Sequence, residues 1–204
     1  IIPAAIKQKD YNQAAKSYQS IGSALKEIGD AEKGIYYFKK GLELYEKYPL
    51  SKERHAISLL NLAREYVESR ELNLAKSYLL KSERILDTLK ESLAHLNYGE
   101  TASMYYCAKN DFPKALQVVE KALKIAEQRN ISRTETDVPA DELPDSEMFL
   151  LGRPMLQARL ENLQAVGPDF DLDYDQNRAM LNTLNVGPSL DPRFQTYRYL
   201  RTPE

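Results

Sequence analysis

The sequence has no tryptophan and only one cysteine and two histidines among 204 residues. A single thiol, Cys107, excludes an internal disulfide. It has no His–Asp arrangement pointing to it, so it reads as a buried or groove-lining thiol rather than a nucleophile. His55 and His95 lack further ligands at metal-binding spacing, so no metal is expected. No glycine-rich phosphate loop, GxSxG or HExxH occurs, so neither a cofactor nor a catalytic residue is expected. The chain also lacks any apolar run near the ~20 residues of a membrane span. Its first residues, IIPAAIKQKD, have no basic region and long apolar core of a secretory leader. They also lack an initial methionine, which reads as the mark of a fragment or a processed chain. A net charge of −2 gives no overall basic field for nucleic acid. Together these absences point to a non-enzymatic, cytoplasmic protein that engages neither membrane nor nucleic acid.

Lysine is missing from one region altogether. After Lys124 there is none, and residues 131–204 carry 7 Arg against 13 acids. Residues 1–130 carry 16 Lys and 5 Arg against 17 acids. Prolines divide the same way, three before Ile131 and seven after. The chain therefore reads as two parts, 1–130 and 131–204.

The first part repeats. Gly34, Ala75 and Ala115 stand 41 and 40 residues apart. Four places after each comes an apolar residue: Phe38, Leu79 and Val119. Seven places after comes a small one: Gly41, Ser82 and Ala122. Twelve places before are Gly22, Ala63 and Ser103, also small. Columns nine and thirteen places before hold Leu25, Tyr66 and Tyr106, then Ile21, Leu62 and Ala102. Turn signals punctuate the copies: Gly29-Asp30 and Asn110-Asp111 suit a helix exit followed by an N-cap, whereas Arg70-Glu71 is a poorer turn. Interior Gly34 and Gly41 cost about 0.5–1 kcal/mol each in helix propensity. A small-residue column at a close helix–helix contact explains them. On that account Gly34→Ala is tolerated or stabilising, while Gly34→Leu forces the helices apart. The opening IIPAAIKQK reads as the remnant of a preceding helix.

This pattern resembles the tetratricopeptide repeat (TPR), in copies at about 11–49, 54–88 and 95–129. The spacing exceeds the usual 34 residues of that family, and is similar to its long-repeat variants in bacterial peptide-responsive regulators, sensor input domains and kinesin-light-chain-type adaptors. In the third copy Gly99 replaces the usual bulky opener of helix A. The resemblance implies an all-α, right-handed solenoid of three helical hairpins whose A helices line a concave groove. It places Lys16, Gln19, Ser20, Ser23 and Lys26 there in the first copy. The second contributes Ile57, Leu60, Asn61, Arg64 and Val67, and the third Asn97, Glu100, Thr101, Met104 and Cys107. The amides would bond a ligand backbone, the cations would hold carboxylates, and Leu60, Val67 and Met104 would make apolar pockets. The two-carboxylate clamp of chaperone-binding members is not matched. The expected function is a scaffold binding a protein, peptide or partner helix. The alternative is a sensory segment of a larger signalling protein, switched by a peptide.

The second part reads as an appendage, partly extended and partly helical. Residues 131–149 are acidic and carry prolines, as a linker does. PMLQARLENLQAV (154–166) puts Met155, Leu156, Leu160 and Leu163 on one helical stripe, with Pro154 suited to a helix start. YDQNRAMLNTLNV (174–186) reads as another short helix. The acidic run 169–177 lacks the sixth-position glycine and closing glutamate of a calcium loop. Three accounts compete for the appendage: a cap on the last hairpin, an acidic internal ligand (135–147) for the groove, or, given the absence of lysine after Lys124, a segment of different origin fused to the repeats.

Overall fold

The computed structural model describes residues 2–128 and 153–166. The linker, the 174–186 helix, the acidic run 169–177 and the 135–147 segment lie outside these residues. The described residues form eight helices: α1 (Ile2–Lys7), α2 (Tyr11–Glu27), α3 (Ala31–Lys47), α4 (Lys52–Glu68), α5 (Leu72–Leu86), α6 (Leu93–Ala108), α7 (Phe112–Gln128) and α8 (Arg153–Val166). The closest pairs are α2 with α3, α4 with α5, and α6 with α7, which are the three expected hairpins. Successive hairpins meet through α3 with α4, α4 with α6, and α5 with α6. The protein is an all-α stack of helical hairpins, preceded by the short α1.

One device makes the tight turns. Lys9, Gly29, Arg70 and Asn110 all have positive φ, between 57° and 87°. The next residue opens the following helix. Asp10, Asp30 and Asp111 accept from the backbone N–H of Gln13, Lys33 and Lys114. Their own N–H groups donate back to the carbonyls of Ala5, Leu25 and Tyr106, closing the preceding helix. Glu71 makes no such cap bond, and Arg70 accepts a conformation that disfavours a non-glycine side chain by roughly 1 kcal/mol. The poor turn chemistry at 70–71 is real, but it shifts no boundary, because the packed faces of α4 and α5 fix the reversal.

Those faces are the repeat columns. Gly22, Gly34, Gly41, Ala63, Ala75, Ser82, Ser103, Ala115 and Ala122 are all buried, as are Phe38, Leu79 and Val119. A main cluster runs through all three hairpins, joining Phe38 and Leu42 to Leu59, Leu62, Tyr66 and Leu79, and on to Ala102, Met104 and Tyr105. A second cluster closes the far end. There Leu96, Cys107, Val119, Leu123 and Ile125 pack with Leu156 and Leu163 of α8. The α8 stripe therefore lies on the last hairpin, against α7.

Backbone proximity sets the hairpins. A methyl added at Gly34 would stand 3.0 Å from the Gly22 carbonyl oxygen, and one at Gly22 would stand 2.7 Å from the Phe38 ring. The expected tolerance of Gly34→Ala therefore depends on the hairpin opening by a few tenths of an ångström, because even one methyl meets helix backbone. Gly99 has the tightest contact, where an added methyl would lie 2.4 Å from Ala122 Cβ and 3.2 Å from the Val118 carbonyl. What looked like a missing bulky opener is the place where α6 touches α7. Gly99→Ala is expected to cost about 1–3 kcal/mol in urea unfolding, despite alanine's better helix propensity. Adding Ala122→Gly should recover part of that loss; equal loss with and without it would place the strain elsewhere.

Candidate functional site

The residues expected to line an open groove face one another instead. Gln19 of α2 is their first hub. Its Nε2 donates to Ser58 Oγ on α4 at 2.8 Å and to the Phe38 carbonyl at 3.2 Å. Its Oε1 accepts from Asn61 Nδ2 at 3.0 Å. One amide thus ties α2, α3 and α4 together. Lys26, two turns further along α2, reaches Glu65 at 3.2 Å and Glu68 at 2.9 Å on α4. Burial draws the Lys26 ammonium down, but Glu68 and Glu65 outweigh it and hold it above its ordinary value. Burial pushes the Glu65 carboxyl up, against the pull of Lys26.

Between α4 and α6 the pairing is buried. Arg64 Nη2 stands 2.9 Å from Glu100 Oε1, and both side chains are 1% exposed. Thr101 Oγ1 donates to Asn97 Oδ1 at 3.1 Å, one helical turn apart. Leu60, Met104, Asn97 and Thr101 are buried around this pair. Ser23 and Asn61 are buried as well. Lys16 and Ser20 are exposed, and Ile57 is half-buried beside Ala56, Leu86 and Ala94. Val67 and Cys107 belong to the apolar clusters. The structure thus gathers most of the expected groove residues into a polar seam linking α2, α4 and α6. Lys16 stands apart from it.

The two histidines serve local packing. His55 stacks on Tyr45, with ring centroids 6.0 Å apart. His95 Nδ1 accepts the Ser92 N–H at 3.1 Å, completing a capping box at the start of α6. An N–H can only donate, so this Nδ1 is unprotonated in the folded protein. Burial holds both imidazoles below their ordinary range, against Glu46 at His55 and Glu91 at His95. Among the described residues no group of three or more His, Cys, Asp or Glu side chains is placed to hold a metal ion. No helix among them is long and apolar enough to cross a membrane.

A pocket of about 270 Å³ lies between α5, α6 and α7, lined among others by Lys76, Tyr98, Tyr105, Tyr106 and Lys109. Tyr106 falls in a repeat column, and the repeat pattern does not assemble this site. Its signal was the Tyr105-Tyr106 pair followed by Lys109, but the approach of Lys76 depends on how α5 packs against α6.

Two stability measurements test the seam and its neighbour. Glu100→Ala leaves Arg64 buried without this carboxylate and is expected to cost about 3–5 kcal/mol. Arg64→Met with Glu100→Leu should recover most of that in urea unfolding; a double variant as weak as the single would show that the pair itself is not the issue. For His95, the folded protein takes up the proton less readily than the unfolded chain. Stability is therefore full above the ordinary histidine pKa of about 6.5 and is lost as the pH falls below it. His55 adds to this slope, while the raised Glu65 carboxyl opposes it at lower pH. His95→Gln keeps an acceptor for the Ser92 N–H and removes the titration. Its unfolding midpoint should drop less than the wild type's between about pH 7.5 and about pH 5.5.

Comparison with known proteins adds what the geometry does not carry. No family model matches the chain, and no solved structure matches it. A stretch of 97 residues, 48% of the chain, is 82% identical to proteins of Escherichia coli K12 and Shigella flexneri named "ECA polysaccharide chain length modulation protein". The Salmonella typhimurium protein of the same name is 81% identical over 97 residues. That stretch covers 28% of each of these relatives, so the chain matches well under a third of their length. A 97-residue match is longer than all of 131–204, so it includes part of the helical array. The name overturns the reading of the chain as a peptide-binding scaffold, and with it the signalling alternative. The relatives are named for setting the length of a polysaccharide, and neither peptide capture nor signalling is what that name describes.

Proposed function

We propose that this chain acts in the modulation of polysaccharide chain length, as the relatives are named to do, and that it does so without catalysing a reaction. The observation that carries the reading is the 82% identity over 97 residues. Identity at that level leaves little room for a different role in the matched stretch. The non-enzymatic part is supported by how the buried ionisable groups are used: Arg64 is spent on Glu100, and Lys26 on Glu65 and Glu68, across neighbouring helices. Such pairs stiffen a scaffold; they do not supply a free base or nucleophile. We further propose that the array is a long-repeat member of the TPR class. The 41- and 40-residue spacing and the burial of its small-residue columns favour that assignment.

The test is made in a strain deleted for the relative's gene. Expression of this chain, verified by immunoblot, is expected to shift the modal length of the polysaccharide ladder on a gel. A ladder identical to that of the deletion strain carrying an empty vector would overturn the reading.

A further inference from the structure

We infer that the pocket between α5, α6 and α7 binds one unit of an anionic saccharide chain, an inference that rests on the polysaccharide reading above. Its aromatic floor is the first reason. Tyr98 and, two turns further along α6, the adjacent Tyr105 and Tyr106 converge there. Sugar rings present a C–H face that packs on an aromatic face, and hydroxyls that bond to phenols, so a tyrosine cluster suits them. Tyr98 is held in place by donating its hydroxyl proton to Glu83 Oε1 at 3.0 Å. Tyr106 is half-buried at the edge of the cluster, with Lys114 Nζ 5.6 Å from its ring centre.

Charge is the second reason. Three lysines rim the pocket: Lys76 from α5, Lys109 from the α6–α7 turn and Lys114 from α7. Lys114 is committed to Asp111 at 2.8 Å. Lys76 and Lys109 are exposed, and neither lies within ion-pair distance of a carboxylate among the described residues. Lys76 and Lys109, without a carboxylate partner among the described residues, border an aromatic pocket whose own carboxylates, Glu83 and Asp111, are engaged by Tyr98 and Lys114, and such a site matches a sugar that carries a carboxylate or a phosphate.

Size is the third. The volume, about 270 Å³, falls just below the about 300–1,000 Å³ of sites that enclose a drug-sized ligand. It suits a single saccharide unit held while the rest of the chain runs past in solvent. A second, shallower hollow adjoins it along α5 and shares Lys76 and Leu80, with Lys81 and Arg84 beyond. The chain's path would continue there, over further cations.

The experiment is a titration of the full 204-residue chain with an oligogalacturonate as the anionic probe and maltotriose as the neutral one, followed by NMR or calorimetry. Binding of the oligogalacturonate, weakened by salt and weakened about tenfold or more in Lys76→Gln/Lys109→Gln, is the expected result. Both lysines are exposed, so the variant should keep the wild-type melting temperature. Equal binding of maltotriose, no binding of oligogalacturonate, or an unweakened double variant would each overturn the inference. If the polysaccharide ladder still shifts in cells under any of those results, only the pocket inference falls. If the ladder does not shift, the functional reading falls.

Discussion

Everything in this array depends on how closely the two helices of a hairpin approach. At Gly22 and Gly34 the α2 and α3 backbones come so near that a methyl added at either would stand 3.0 Å from the carbonyl oxygen of the other. At Gly99 and Ala122 the same happens with a single methyl between α6 and α7. Close approach removes the space that larger side chains would fill, and replaces it with continuous backbone contact at interior packing density. It also fixes the rotation of each helix about its axis, since only one face is flat enough to touch. Once α2, α4 and α6 are each locked in rotation by their partners, their remaining faces must meet one another. The polar seam is a consequence of that geometry.

The seam then decides register along the stack. A buried ion pair such as Arg64–Glu100 gains little net stability, because desolvation of both charges offsets most of the attraction. Its force lies in the alternatives. A slip of one turn between α4 and α6 would leave two charges that are now 1% exposed facing apolar walls, and an unpaired buried charge is costly. Gln19 adds a directional constraint at the other end, with both ends of one amide engaged on different helices. Size columns thus build the hairpins, and polar residues stack them in a single order.

These two layers differ in how far they could be read from the chain. Hairpins were legible because a small residue at a fixed spacing means the same thing in every copy. Asp30 and Asp111 were legible as caps because their chemistry is local. Arg70 was not legible as a left-handed residue, since a single turn held open by packing overrides its own preference. Gln19, Arg64 and Glu100 were expected on the groove side of the A helices, and the structure puts all three in the seam between those helices. What the pattern could not supply was the distance between those helices, so residues that satisfy each other were read as waiting for a ligand. The stripe of 154–166 foretold α8, as its packing of Leu156 and Leu163 against the α6–α7 cluster bears out. The pocket of Tyr98, Tyr105, Tyr106 and Lys76 draws on three helices, and no periodicity within one of them reveals it. The link to polysaccharide length is not written in any residue pattern; it came from the relatives.

The position of α8 bears on how the array ends. A stack of hairpins buries each helix between neighbours except at its last face, where α7 would offer Leu123 and Ile125 to water. Helix α8 meets that face with the stripe that begins at Met155, while Gln157 and Glu161 point to solvent and bond each other at 3.0 Å. Arg159 and Asn162 are buried with it, so the contact is a packed layer and not a loose rest. Helix α8 is consequently not independent of the repeats. The pocket at α5, α6 and α7 borders the same last hairpin that α8 completes.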